Sequence, residues 1–429
     1  MDMPFFKIDK RLIEVSERAQ QSAEKAFETI EKTTEYNQQK VLAAFIENRV
    51  SESHFVKTTG YGYGDRGRDV LDSVFAMSMG TEDALVRHSI VSGTHAITIA
   101  LFGILRPGDI LLAVTGSPYD TLEQVIGLDD SRGQHSDIGS LRDYGILYEQ
   151  VELDESGRPN LGLIADRVEQ VKPKAVHIQR SRGYSVRPSL TVADIEKIVQ
   201  AVRRKSPETI VFVDNCYGEF VERQEPTQVG ADLMAGSLIK NPGGGIAENG
   251  GYICGRADLV EQCAYRMTTP GLGREVGASL GHNRSLYMGL FNAPHVVGEA
   301  LKTAVYCAWL FSMLGYEVTP APDEIRTDII QAVKLGSPEA MVAFCQGIQR
   351  GAPVDSFVVP EPWDMPGYEN QVIMAAGAFT MGASIELSAD APLREPYAAY
   401  MQGGLNYHSG KIGVLMAAQS MLEKGLLNI

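Results

Sequence analysis

Three places in this sequence combine residue types that could do chemistry together. Ser92-Gly93-Thr94-His95 opens an apolar stretch with helical spacing. Hydroxyls and bare backbone N–H groups at the positive end of a helix suit a phosphate, although Ser and Thr also cap helices with no ligand at all. Asp214 ends the apolar run Ile210 to Val213, which reads as a buried strand, and ligands of open α/β sheets gather beyond the carboxyl ends of strands. A carboxylate there can pair with a cationic ring nitrogen, bind a metal, or simply serve the turn Asn215-Cys216-Tyr217-Gly218. Lys240 follows Leu238 and Ile239 and precedes the loop Asn241-Pro242-Gly243-Gly244-Gly245. Burial lowers the pKa of a lysine because the charged form loses hydration, and a neutral amine can form a Schiff base. An exposed lysine ahead of a flexible loop is the plainer reading of the same residues.

Taken in chain order, a phosphate cup, a strand-end acid and a downstream lysine describe a site for pyridoxal phosphate. Asp214 would keep the pyridine nitrogen protonated, so that the ring accepts electrons, and Lys240 would hold the cofactor covalently. A rival motif, Gly62-Tyr63-Gly64-Asp65-Arg66-Gly67, satisfies the dinucleotide pattern GxGxxG. Its context does not, because His54 to Thr59 is no clean hydrophobic strand. The eight histidines show no HExxH spacing, and no metal is expected.

The elements that must position these residues follow from the apolar pattern. Ile8 to Val50 has helical periodicity without Gly or Pro and predicts two amphipathic helices, which could form an arm against a partner subunit. Thr94 to Leu105 predicts a helix ended by Arg106-Pro107-Gly108-Asp109, with strands at Ile110 to Val114, Ala175 to Ile178 and Ile210 to Val213 and a helix over Asp194 to Arg204. This alternation implies a mainly parallel sheet in an α/β fold. Asn249-Gly250 before Gly251 to Cys254 suggests a hairpin. Beyond about Ala293 the pattern changes to a long apolar helix (His295 to Leu314), a helix near Pro338 to Gln349, strands near Gln371 to Ala376 and Ala383 to Leu387, and a last helix over Lys411 to Lys424. The expected division is an N-terminal helical arm (1–55), a large domain (56–292) and a smaller α+β domain (293–429).

Composition narrows the functional classes. The chain has 429 residues, 44% of them hydrophobic, and a formal net charge of −15. It can bury sizeable cores, and its acidity argues against nucleic acid or an anionic membrane as partner. The opening MDMPFFKIDK has no apolar core of a secretion signal, and no run of 18 apolar residues occurs. Five scattered cysteines without a CxxC pair fit reduced thiols. A cytoplasmic location is therefore expected.

Longer motifs add a resemblance. FVDNCYGEF (Phe212 to Phe220), SLIKNPGGG (Ser237 to Gly245), TGYGYGDRGRD (Thr59 to Asp69), SGTHAI (Ser92 to Ile97) and IELSADAPLREPYAAYMQGG (Ile385 to Gly404) resemble the pyridoxal-phosphate family known as methionine gamma-lyase-like or aluminium-resistance proteins. That family is similar to the cystathionine and methionine lyases of fold type I. The resemblance implies a large domain with a seven-stranded, mainly parallel sheet, a small C-terminal α+β domain, and a homodimer or homotetramer with shared active sites. It implies a carbon–sulfur lyase acting by β- or γ-elimination on a methionine, cystathionine or cysteine type of amino acid.

By position, Lys240 matches the lysine that bonds the cofactor and Asp214 the partner of its ring nitrogen. Ser92, Gly93, Thr94 and Ser237 match phosphate ligands, and Tyr119 an aromatic residue stacked on the ring. Arg394 matches the arginine that grips a substrate carboxylate by two parallel hydrogen bonds. Tyr61, Tyr63 and Arg68 resemble a segment lent by a neighbouring subunit, in which a tyrosine contacts the phosphate or protonates a leaving group. Arg180, Ser181, Arg182 and Tyr184 form a polar cluster after a strand without an assigned role. The sequence departs from the related lyases at Ile239, where a threonine is usual, and in the loop after Lys240. Those departures leave open another pyridoxal-phosphate reaction, such as aminotransfer or γ-replacement, and a non-catalytic protein on the same fold.

Overall fold

Fully buried runs alternate with capped helices through the first two thirds of the chain, and this alternation builds a layered α/β unit. The structure is a computed structural model and describes residues 4–128, 137–365 and 370–429. The chain divides into two units, one made of residues 38–238 and 246–291, the other of residues 1–37, 239–245 and 292–429.

The first unit contains a seven-stranded sheet of β1 (Asp83–Arg87), β2 (Ile110–Ala113), β3 (Leu147–Gln150), β4 (Ala175–Gln179), β5 (Ile210–Asp214), β6 (Leu233–Ser237) and β7 (Gly251–Gly255). Their order is β1-β7-β6-β5-β4-β2-β3. Every pair is parallel except those of β7, which runs antiparallel to both β6 and β1. The central strands β4, β5 and β6 are buried at every position, as parallel strands covered on both faces must be. Because they run in one direction, Gln179, Asp214 and Ser237 all leave the sheet at the same edge. The register pairs Gln179 with Asp214 and Asp214 with Ala235.

A long helix α1 (Lys10–Glu47) and α2 (Arg66–Met79) precede the sheet strands in the chain, and α3 (Gly93–Ile104), α4 (Asp120–Ile126), α5 (Leu161–Val171), α6 (Val192–Lys205) and α7 (Ala257–Met267) are threaded between and after them. Helix starts are written in the sequence. The side chains of Ser92, Asn160 and Thr191 accept hydrogen bonds from the N–H groups of His95, Leu163 and Asp194 at the heads of α3, α5 and α6, satisfying donors that a helix cannot satisfy itself. Helix α3 buries Ile97, Ala100, Leu101 and Ile104 in one core with Phe212, Leu233 and Ala235.

In the second unit, α8 (Asn283–Met313, its first residues counted with the sheet unit), α9 (Pro338–Arg350) and α10 (Tyr407–Glu423) accompany an antiparallel sheet of β8 (Glu317–Thr319), β9 (Ile330–Lys334), β10 (Val372–Ala375), β11 (Ser388–Pro392) and β12 (Ala398–Gln402). The strand order is β10-β11-β12-β9-β8. Its core joins Phe344, Ile348, Met401 and Leu415 with Leu12 and Val15 from the start of α1.

Several expectations change. The N-terminal region is one continuous helix rather than two, and its first part shares the core of the C-terminal unit. Ala383 to Leu387 is a turn, and the strand begins at Ser388. There the carboxylate of Glu386 caps the N–H groups of Phe379 and Thr380, so the apolar alternation of the segment does not continue as a ladder. The stretch before Gly251 does lead into an antiparallel pair, but β6 and β7 are joined by the whole segment 238–250 and not by a two-residue turn. Asn249 instead donates to the carbonyl of His88.

Candidate active site

The head of α3 and the end of β6 meet. A Cβ at Gly93 would lie 3.3 Å from the Cβ of Ser237 and 3.1 Å from the Sγ of Cys216. Glycine is thus what lets the first turn of α3 approach the residues that follow β5 and end β6. Ser92 caps the helix, Thr94 Oγ1 lies 2.9 Å from Thr121 Oγ1, and Ser237 is buried. Backbone N–H groups of a helix N-terminus, three hydroxyls and a space that a methyl group would fill make a cradle of the size and chemistry of a phosphate.

Asp214 sits at the end of β5 with a nearly buried carboxylate, and its Oδ1 accepts the backbone N–H of Cys216 at 3.1 Å. Across the strand pair, Gln179 donates from Nε2 to the carbonyl of Ser181 at 3.1 Å, while its buried Oε1 has no hydrogen-bond partner among the described residues. His177 follows the same alternation one step earlier on β4. It is buried, its Nε2 has no partner among the described residues, and its pKa is pushed down by burial, against which the nearby Asp214 carboxylate works. A carboxylate, an orphaned amide oxygen and a buried imidazole therefore sit on the two strands that end at this edge. The donor set fits pyridoxal phosphate, with hydroxyls and N–H groups for the phosphate dianion and a carboxylate for a protonated ring nitrogen.

Tyr119 is the residue before α4. Its ring lies edge-on to Tyr184 with centroids 5.9 Å apart, and it closes on Gly183, where a Cβ would come within 3.1 Å of it. Tyr119 and the polar cluster after β4 thus belong to one wall. Within that cluster Arg180 is fully buried and bonds Asn215 Oδ1 at 2.8 Å, the carbonyl of Gly218 at 3.0 Å and Glu222 at 2.8 Å. Glu225, also fully buried, lies 3.6 Å away. Arg180 therefore fixes the loop that starts at Asp214. Tyr217 and Phe220 in this loop adopt left-handed backbone angles, φ 71° and 61°, a conformation that costs an aromatic residue energy and persists only where surroundings enforce it.

Tyr61 and Tyr63 stand on the loop before α2, both exposed, with ring centroids 5.7 Å apart. Arg68 is buried beneath them. Its guanidinium donates to the carbonyls of Gly62 and Gly277 at 3.1 and 3.0 Å and to Asp69 at 2.9 Å. The structure thus gives Arg68 a place inside the loop, as the brace of the two tyrosines. Asp65, which caps α2, takes hydrogen bonds from Thr58 and from the N–H groups of Arg68 and Ser279. Burial works against its charge, but these bonds hold its pKa down at about 2. The GxGxxG stretch is consequently a helix entry capped by a carboxylate, with no strand before it among the described residues.

Lys240 is half-buried and caps a short 3₁₀ turn, Asn241–Gly243. It lies three residues beyond Ser237 along the chain. The segment 239–245 belongs to the C-terminal unit, where Gly245 is pressed on Leu405. Arg394 is in that unit too, exposed in the turn between β11 and β12, with its carbonyl accepting the N–H of Tyr397 at 2.9 Å. Ser92, Gly93, Thr94, Asp214 and Ser237 are therefore brought together within one unit, with Tyr119 in the wall beside Gln179, while Lys240 and Arg394 are placed in the other. Gln179, His177 and the bracing role of Arg180 escaped sequence reasoning. The position of Gln179 at the end of a buried strand was the available signal.

A sequence model of the family described as methionine gamma-lyase matches residues 12–422. A crystal structure of a candidate cystathionine beta-lyase involved in aluminum resistance from Clostridium acetobutylicum is similar, with 51% identity, a TM-score of 0.93, and coverage of 97% of this chain and 96% of that one. A carbon-sulfur lyase involved in aluminum resistance from Clostridium novyi NT shows 51% identity and a TM-score of 0.92 over 96% of each chain. YnbB of Bacillus subtilis, an uncharacterised protein, is 52% identical over 93% of both chains. The pyridoxal-5'-phosphate dependent protein YhfS from Escherichia coli, at 17% identity and a TM-score of 0.61 over 92% of this chain and 97% of that one, shares the fold.

Proposed function

The chain belongs to the methionine gamma-lyase family, and from that premise we propose that it is a pyridoxal-phosphate-dependent carbon–sulfur lyase that eliminates a thiol from a sulfur-containing amino acid. The observation that carries this reading is the cradle of Ser92, Gly93 and Thr94 against Ser237, beside the Asp214 carboxylate.

Pyridoxal phosphate, when bound, supplies a sink for the electron pair left when the α-proton departs. Ser92, Thr94, Ser237 and the first N–H groups of α3 hold its phosphate. Asp214 keeps the proton on the pyridine nitrogen, and the Cys216 N–H fixes the orientation of that carboxylate. Tyr119 would supply an aromatic contact to the cofactor ring. Lys240 holds the cofactor covalently and afterwards carries the proton to and from the substrate Cα. Arg394 binds the substrate carboxylate. Tyr63 delivers a proton to the departing sulfur, and Tyr61, on the loop braced by the buried Arg68, supports the phosphate side from a neighbouring subunit. A homodimer or homotetramer is the assembly in which those exposed tyrosines serve a site. The cysteines form no disulfide among the described residues, burial pushes four of the five thiols (Cys254, Cys263, Cys307 and Cys345) up, and no described helix is long and apolar enough to cross a membrane. These features suit a reducing cytoplasm.

The test is product analysis with methionine, cystathionine and cysteine. Release of thiol, ammonia and an oxo acid, abolished in Lys240→Ala, is the expected result. A second amino acid among the products would assign a transfer reaction instead, and no release from any of the three would point to a non-catalytic protein.

A further inference from the structure

We propose that His177 is a positioning residue for the cofactor, and that its buried imidazole supports the negative charge of Asp214, which in turn keeps the proton on the pyridine nitrogen. This rests on the reading of Asp214 given above. His177 lies on β4 and Asp214 ends β5, within one unit. The register of these parallel strands pairs His177 with Phe212 and Gln179 with Asp214. Side chains two residues apart on a strand share a face, and so do those of paired residues. His177, Phe212, Gln179 and Asp214 therefore stand on the same side of the sheet. The His177 and Phe212 ring centroids are 5.7 Å apart, and one further step of two residues, about 6.6 Å along the strand, leads from Phe212 to Asp214.

Asp214 has little support for its charge from its own loop. Its carboxylate is nearly buried, and the N–H of Cys216, at 3.1 Å, is the one hydrogen bond it accepts among the described residues. Burial penalises the charged form of a carboxyl group, and nearby donors offset that penalty. Gln179 directs its amide nitrogen to the carbonyl of Ser181 at 3.1 Å. Its other terminus is an oxygen, of the wrong sign to support an anion. On this face of β4, the polar side chain that remains is His177.

His177 in turn has no use in the packing. It is 2% exposed, Ala113 and Phe212 flank it in the sheet, and its Nε2 has no hydrogen-bond partner among the described residues. A buried polar atom left unpaired weakens a fold, and an apolar residue of similar shape in its place is neutral or better. The charge that acts on this ring is that of Asp214: burial pushes the pKa of His177 down, and the carboxylate works against that. The interaction is mutual, and in a buried setting of low dielectric the dipole of an uncharged imidazole stabilises a nearby anion. Local costs of this kind are kept where a site needs them.

The probes are pyridoxal phosphate and its 1-deaza analogue, in which carbon replaces the ring nitrogen while the phosphate and aldehyde remain. Their dissociation constants are measured by equilibrium dialysis against the full chain. His177→Leu, close to histidine in volume, is expected to bind pyridoxal phosphate about tenfold more weakly and the analogue as tightly as wild type does. The urea midpoint of the cofactor-free variant should stay level or rise. His177→Gln, which returns an N–H donor, should regain most of the lost affinity. Equal losses for the two cofactors in His177→Leu, as a purely structural histidine would give, or a loss for neither, would overturn the assignment. Wild-type protein that takes up neither cofactor would contradict the reading on which this rests. The same discrimination in a protein that eliminates no thiol would sink the lyase reading alone and leave His177 assigned.

Discussion

Gly93 and Ser237 approach so closely that a methyl group at position 93 would lie 3.3 Å from the Cβ of Ser237. The two residues come from different elements, the head of α3 and the end of β6, and their meeting defines the phosphate cradle. A side chain at 93 must push on Ser237 and on the Cys216 sulfur together. Gly93→Ala is therefore expected to weaken pyridoxal phosphate binding by about tenfold, a cost near 1.4 kcal/mol, with little loss of fold. Equilibrium dialysis against the cofactor checks this; unchanged affinity would place the phosphate elsewhere.

Arg180 carries the loop after Asp214. Replacing it with methionine removes the bonds to Asn215, Gly218 and Glu222 and takes away the cation 3.6 Å from the buried carboxylate of Glu225. Breaking one side of a buried pair typically costs about 3–5 kcal/mol. Arg180→Met should accordingly lower the urea midpoint well below that of wild type and loosen cofactor binding through Asp214. A midpoint within experimental error of wild type would show that the loop holds without it.

Lys411 gives a pH dependence that does not involve the site. Its Nζ bonds Gln20 Oε1 and lies 5.3 Å from the Tyr306 ring centroid, and burial lowers its pKa to about 8 from 10.5. Between these two values the unfolded chain binds more protons than the native one, so this residue makes stability rise with pH across that window and has its full penalty below it. Lys411→Met should remove that rise. Thermal midpoints of both proteins at either side of the window measure it; identical slopes would mean that the amine keeps its proton in the fold.

The parts of this molecule that could be read from sequence are those whose signal is local. Strand β5 is an apolar run closed by Asp214, β4 is apolar but for His177 and Gln179, and α3 and α6 announce themselves by a capping hydroxyl and a periodic apolar face. Asp214 was legible because it directly ends such a run. Strands β1, β3, β9 and β12 were not, since polar residues break their apolar pattern and pairing with distant partners sets them. The same limit hid His177 and Gln179, since a polar residue inside or at the end of a buried strand does not declare which face it occupies. Arg180 could be seen as polar and near a strand, but its partners at 215, 218, 222 and 225 become neighbours only in the folded chain. Arg68 shows the converse case: a motif placed it near a cofactor, and the fold occupies it in bracing Tyr61 and Tyr63.

The most direct measurement is to load the chain with pyridoxal phosphate, reduce it with borohydride, and map the modified peptide by mass spectrometry. A single stable pyridoxyl adduct is expected on Lys240, lost in Lys240→Ala while Gly93→Ala only reduces its yield. An adduct on a different lysine, or protein that takes up none, would contradict it.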